Sequence, residues 1–435
     1  MSVVSPSEVL SKAVVLECRA CGLRAEEGYV IRCPRCGSAT DVLYDLSSAR
    51  IRDSDNPLIR WFDLLPLADT ERLYWLGDGG TPLVHARELG RAAGLDRLYL
   101  KDETRNPSRT TKDRMASVAV SFLAQRGVHE FVVSSTGNSS TSMGLCARLA
   151  PEITLHIFCG QEFLHRVNVP DLPNVRIYCT DTDFVGAAAA ASAYAREHRL
   201  PFEGGFFNPA RREGLKLCYL EAFDQLFPRM PDVVVQAVSS GMGIYGAFKG
   251  IAEYRALGWL SRVPRIVCAQ QRSCAPMYEA FRDGAEVIGP QHVQHRPRGI
   301  AKAILRGNPS DSYPVMRAIV NSSNGCFEAV RDDEILDAQH RARELEGLDI
   351  CLSSSVALAS ALKLARTGRV LRDEVVLVNL TGGNRPESVP PNVTRLSAGR
   401  PSVTRPSVTR LSAGRPSAGP QDPRGRSPER KEGRL

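Results

Sequence analysis

The chain has 435 residues, 43% hydrophobic and 24% charged, with a formal net charge of +8. That balance suits packed domains and excludes a wholly disordered chain, and no uncharged apolar run approaches the ~20 residues a membrane span needs. The charge excess is local: Pro390 to Leu435 holds ten Lys/Arg against three Asp/Glu, leaving 46 against 45 elsewhere. A near-neutral body of this kind gives no footprint for nucleic acid.

The N-terminus lacks a basic region followed by an apolar core, so a cytoplasmic protein is expected. Its twelve cysteines then read as thiols or metal ligands rather than disulfides. Cys18-Arg-Ala-Cys21-Gly and Cys33-Pro-Arg-Cys36-Gly are two CxxC pairs separated by eleven residues. The spacing matches two knuckles closing one tetrahedral thiolate site for Zn2+. Four cysteine ligands leave no open position, so the metal would be structural, in a zinc-ribbon-like segment over residues 1–47. Residues 18–45 carry no basic, aromatic-rich face for nucleic acid.

Residues 48–97 read as a connecting segment, with Trp61 to Pro66 as apolar anchors and Gly79–Leu83 as a turn. Strands and helices then alternate. Leu98–Lys101 is a strand, and a helix runs from Lys112 to about Gln125. Strands follow at 130–134, 153–159, 175–179, 233–238, 265–269 and 374–380. Helices follow at 141–149, 185–198, 213–227, 244–257, 334–346 and 355–366. Short apolar strands between amphipathic helices predict an α/β protein with parallel sheets, and their number favours two sheets. The catalytic body is expected over 48–388, with a smaller mid-chain domain at about 106–210. Past it, Val393–Ser402 recurs at 408–417; repeats of Pro, Ser, Gly and Arg predict a disordered tail over 389–435.

The chemistry centres on Asn106–Ser117. Lys112 falls in a first helical turn, where the macrodipole disfavours an ammonium and so favours the free amine that attacks a carbonyl. The bland alternative is a solvated lysine paired with Asp113. Three loops sit at strand C-terminal ends, where open α/β sheets bind ligands. Ser134–Thr141 is small and polar and offers Asn138. Ser239-Ser240-Gly241-Met242-Gly243 opens a helix and is a candidate phosphate cradle. Thr381-Gly382-Gly383 can place a hydroxyl under a ring. A lysine, a phosphate cup and two small polar loops together suggest pyridoxal 5′-phosphate.

Asn106-Pro-Ser-Arg-Thr-Thr-Lys112-Asp-Arg114 resembles the lysine motif of the threonine synthase family, and Ser135-Thr-Gly-Asn138 its asparagine loop. Asn208-Pro-Ala-Arg211-Arg-Glu-Gly214, Pro264–Pro276, Leu380-Thr-Gly382 and the Cys-rich N-terminus are similar too. The resemblance spans about 15–385 and implies a fold type II pyridoxal-phosphate enzyme, related to the tryptophan synthase β chain, built of two open parallel-sheet α/β domains. It implies that Lys112 forms the Schiff base, Asn138 bonds the cofactor's 3-hydroxyl, Ser239 to Gly243 hold its phosphate and Thr381 faces its pyridine nitrogen. Arg211 matches an arginine that binds substrate phosphate; Arg109, Thr111, Ser135 and Ser139 join it as substrate-binding candidates. A homodimer is implied as well.

The pattern departs from the family at Arg109, Thr110 and Thr111, where Gly, Ser and Phe are usual, and at Phe206, where a phosphate-binding serine is usual. Gln236–Gly243 and Glu203–Gly214 resemble cysteate synthase instead. The expected activity is phosphate elimination from an O-phospho amino acid: O-phosphohomoserine to threonine, or O-phosphoserine with sulfite or another nucleophile. An alternative of another class is a non-catalytic zinc-ribbon scaffold using its basic tail.

Overall fold

The computed structural model describes residues 9–25, 31–182 and 184–396. The strands are β1 (Val15–Cys18), β2 (Arg24–Ala25), β3 (Thr40–Leu43), β4 (Leu83–His85), β5 (Arg97–Asp102), β6 (Glu130–Ser134) and β7 (Thr154–Gly160). They continue with β8 (Val175–Thr180), β9 (Val233–Ala237), β10 (Arg265–Gln271), β11 (Cys326–Val330), β12 (Val375–Leu380) and β13 (Val393–Leu396). The α-helices are α1 (Pro57–Arg60), α2 (Arg87–Ala93), α3 (Lys112–Gln125), α4 (Asn138–Ala147), α5 (Phe184–Glu197) and α6 (Pro209–Leu226). Then come α7 (Met242–Ala256), α8 (Pro276–Arg282), α9 (Tyr313–Ser322), α10 (Asp332–Glu346) and α11 (Leu352–Arg366).

Two sheets carry the site. The larger runs β11-β10-β9-β12-β5-β4, parallel except for the antiparallel edge strand β4. Alternation along its strands divides the core: Val233, Val235, Val376 and Val378 face the layer of α11, whereas Val234, Val375 and Leu377 face the other core. Burial on both faces explains the unbroken apolar runs of β9 and β12. The smaller sheet, β13-β8-β7-β6, is parallel throughout. Helix α3 packs on α4 beside the smaller sheet and on α6 beside the larger, so Lys112 at its first position stands between them.

The segment expected to be a plain connector holds α1, β4 and α2, too short for a periodicity signal. The 276–332 stretch, unassigned in the sequence, holds α8, α9 and β11. Helices α4 and α6 start three or more residues earlier than expected. Gly137, at φ 121°, turns the chain into Asn138, and Asn208 caps α6 through its side chain ahead of Pro209.

The predicted tail needs correction at its start. Val393–Leu396 pairs in parallel with Ile177–Thr180, because Val-Thr-Arg-Leu has strand-forming alternation. The remainder of the expected disordered tail, 397–435, lies outside the described residues. Residues 383–392 form a strap from β12 of the larger sheet to β13 of the smaller. Along it Asn168 donates to the Pro386 carbonyl (2.8 Å), and the Ser388 amide donates to the His165 carbonyl (3.0 Å).

At the N-terminus β1, β2 and β3 form an antiparallel sheet docked on α6 and α7. Asp41 accepts hydrogen bonds from Tyr245 (2.7 Å) and Lys249 (3.0 Å), and Arg32 stacks 3.3 Å over the Phe207 ring. Among the described residues no helix is long and apolar enough to cross a membrane.

Candidate active site

A cavity of about 190 Å³ opens at the C-terminal ends of the strands, lined by Lys112, Asn138, Ser239 to Gly243 and Thr381. Thr111, Ser135, Ser139 and Arg211 line it too. Most residues singled out in the sequence thus meet in one place. Arg109 does not. Its backbone is left-handed (φ 59°) and its guanidinium turns to Asp349 (3.1 Å), because the lysine loop is stitched by its main chain to the end of β12. Thr111 N donates to Thr381 O (3.0 Å), and Gly383 N to Arg109 O (2.9 Å).

The lysine loop is held by its neighbours, which leaves Lys112 uncommitted. Asp113 accepts from the Ser108 amide (2.6 Å) and hydroxyl (2.5 Å), so the alternative Lys112–Asp113 pair does not form. Arg114, fully buried, donates to Glu103 at 2.8 Å and to Glu221 at 3.0 and 3.1 Å; Lys101 meets Glu221 at 2.6 Å. These bonds clamp β5, α3 and α6 around the first turn. The Lys112 amine has no hydrogen-bond or ion-pair partner among the described residues. Burial, with Arg211 as a second cause, pulls its pKa down to about 8.

The asparagine loop turns at Gly137, where a Cβ would lie 2.6 Å from that of Arg166. Ser135 Oγ accepts from the Gly137 amide (3.2 Å). Asn138 Oδ1 accepts from Arg385 Nη2 (2.5 Å), which aims the other end of the amide away from Arg385. The phosphate cup follows β9. Gly241 is left-handed (φ 84°), and a Cβ on Gly243 would meet the Gln236 side chain at 2.4 Å, so glycine alone lets α7 begin this close to the sheet. Its first amides have no intrahelical acceptors and suit a phosphate.

Arg211 differs from expectation. It reaches the cavity and donates to Ser139 Oγ (3.3 Å), but its Nε (2.5 Å) and Nη2 both bind Glu203. Asn208 holds the same carboxylate (2.7 Å). The guanidinium is therefore already neutralised. Phe206, beside it, puts an aromatic ring into the wall.

The side chains fit pyridoxal 5′-phosphate. The Lys112 amine stands near an amide-lined cup, and the buried hydroxyls of Thr111 and Ser134, both in the cavity wall, have no hydrogen-bond partner among the described residues. Such orphans are what a polar ligand would satisfy. Sequence reasoning missed Ser353, Arg306 and Arg385, which lie outside the strand-end loops and carry no local motif.

At the N-terminus the Cys18, Cys21, Cys33 and Cys36 sulfurs lie within 4.8 Å of one another, with close pairs at 3.4, 3.5 and 3.7 Å. A tetrahedron with Zn–S arms of 2.3 Å has edges of about 3.8 Å, so the set fits Zn2+. Hydrogen bonds from the Ser38 hydroxyl and amide lower the Cys36 pKa to about 6 and favour the thiolate.

A family model described as pyridoxal-phosphate dependent enzyme matches residues 74–382. The chain is 30% identical over 374 residues to threonine synthase of Methanosarcina acetivorans, covering 84% of this chain and 91% of that one. It is 26% identical over 388 residues to cysteate synthase of the same organism, covering 85% and 91%. Among solved structures, maize serine racemase shares the fold with a TM-score of 0.58 at 19% identity, covering 70% of this chain and 88% of that chain. The four-thiol N-terminus stands outside that match, but the lysine loop, asparagine loop and phosphate cup all fall within it, and this chain belongs to the pyridoxal-phosphate dependent enzymes.

Proposed function

We propose that the chain is a lyase that expels phosphate from an O-phospho amino acid, in the manner of threonine synthase acting on O-phosphohomoserine. The observation that carries this is the Lys112 amine, at a depressed pKa and without a partner among the described residues, set among loops that resemble those of threonine synthases. When bound, pyridoxal 5′-phosphate supplies an electron sink for negative charge at an amino acid's α-carbon.

The chain's own residues do the rest. Lys112 would hold the cofactor's aldehyde, and its Nζ would take and return protons at the substrate carbons. The amides from Gly241 to Gly243 would hold the cofactor's phosphate, and Asn138 would donate to its ring oxygen. The polar start of α4, with Ser135 and Ser139, receives the substrate carboxylate. Thr381 offers the ring nitrogen a hydroxyl, not a carboxylate, which restrains charge delocalisation and favours elimination.

One observation favours a second reading, a β-replacement on O-phosphoserine with sulfite. Glu203 and Phe206 close the corner in which Arg211 would otherwise face substrate phosphate, and the Glu203–Gly214 stretch resembles cysteate synthase. The test is phosphate release by the holoenzyme from O-phosphohomoserine alone and from O-phosphoserine with and without sulfite. Lys112→Ala should abolish release. Release unchanged in that variant refutes both.

A further inference from the structure

A second cavity, about 280 Å³, adjoins the first and shares Asn138, Ala303 and Ser353 with it. Its charge is one-sided. Arg166 and Arg385 line it and Lys302 stands exposed at its wall, and none of the three has an ion-pair partner among the described residues. The one carboxylate in the lining, Glu387, faces His165 at 3.3 Å and acts on Arg166 without forming an ion pair with it. Arg385 spends Nη2 on Asn138 and the Arg166 carbonyl, while its Nη1 is buried with no hydrogen-bond partner among the described residues. The Arg166 guanidinium makes no hydrogen bond among the described residues, although its backbone is pinned. Its carbonyl accepts from Thr141 (3.2 Å), and its Cβ packs on Gly137.

Two guanidiniums side by side, one with an orphaned buried N–H, are unfavourable without an anion. Burial first and the neighbouring Arg166 second lower the Arg385 pKa, with Asp113 opposing them more weakly. Across the first cavity the opposite holds, since Glu203 already neutralises Arg211. A phosphate dianion entering the joined cavities therefore meets a neutral wall at Arg211 and, at Arg166 and Arg385, two guanidiniums that no carboxylate of the described residues pairs directly, with Glu387 and Asp113 acting on them only from further off.

We propose that the Arg166–Arg385 cavity is a phosphate subsite, and that in this chain it, rather than Arg211, receives the phosphate of the substrate. The assignment to the substrate rests on the elimination proposed above; the cavity's preference for a phosphate dianion does not. Guanidinium forks suit phosphate oxygens, and the expelled group leaves with the electron pair of the broken C–O bond, so its added charge develops against these donors.

The test is calorimetric titration of inorganic phosphate into the full-length holoenzyme, with phosphate inhibition measured against the phospho amino acid. Arg166→Gln should weaken phosphate roughly 10- to 100-fold without changing cofactor content or visible absorbance. Arg166→Lys should recover part of the loss, and Arg211→Lys should leave phosphate affinity within about twofold. Phosphate should inhibit competitively. Affinity unchanged in Arg166→Gln, no binding to the native enzyme, or non-competitive inhibition overturns the proposal. If neither phospho amino acid is turned over while Arg166→Gln still abolishes phosphate binding, the activity reading fails and the anion site stands.

Discussion

The amine of Lys112 is the most exacting quantity in the site. At a pKa of about 8 rather than 10.5, the free fraction at pH 7 is ~10% instead of ~0.03%, a gain of roughly 300-fold in the form that captures an aldehyde. The rate at which apoprotein gains visible absorbance with pyridoxal 5′-phosphate should therefore rise with pH and level off with a midpoint near 8. Burial is the larger cause and Arg211 the second. Although Glu203 pairs with it, Arg211 is the member of the pair that acts on Lys112, and Arg211→Gln/Glu203→Gln removes it without stranding a buried carboxylate. The midpoint should then move upward yet stay below 10.5. Stopped-flow absorbance over pH 6–11 measures both. A wild-type midpoint above 10, or a downward move in the double variant, would refute the assignment. In the apoprotein the sign of the stability effect follows. The folded pKa lies below the unfolded one, so between about 8 and 10.5 the unfolded chain binds more protons at this site, and stability rises with pH across that window.

Arg114→Met strands Glu103 and Glu221 in the interior and should cost about 3–5 kcal/mol in denaturant unfolding, with Lys101 only partly compensating Glu221. Burial raises the Asp78 pKa to about 7. Its folded value lies above its unfolded one, so stability falls as pH rises from about 4 to 7, and Asp78→Asn should flatten that slope in thermal melts. Gly137→Ala combines a strained φ of 121° with a 2.8 Å contact to the Arg166 carbonyl. It should lower cofactor affinity at least about tenfold by displacing Asn138, measured by equilibrium dialysis. Metal analysis should find one zinc per chain, lost in Cys33→Ser. Because the ribbon packs on Phe207, its loss should also weaken cofactor retention.

Much of this was legible because the signals were local. Helix α3 spans Lys112 to Gln125 as its periodicity indicated, and β6 matches residue for residue, since both are runs whose burial follows from their own order. The three loops could be placed because parallel strands must end at one edge of a sheet. What escaped depends on which of several possible partners the fold brings to a side chain. No local pattern says that Asp113 will be taken by Ser108, that Glu203 will claim Arg211, or that Arg109 will turn away to Asp349. Arg385 was missed for the same reason: it lies beyond the last central strand and reaches Asn138 across 247 positions of sequence. The edge strand β13 has a propensity signal of its own, hidden by the repeats that follow it.

The strap between β12 and β13 has a mechanical consequence. It crosses from one sheet to the other, lines the second cavity with Gly383 to Glu387, and is stiffened by Pro390 and Pro391. Any separation of the two sheets at that edge has to stretch residues 383–392 or peel β13 from β8, so the strap acts as a check-rein with a defined stop. Truncation at Ser388 would cut the rein, whereas truncation after Leu396 would keep it.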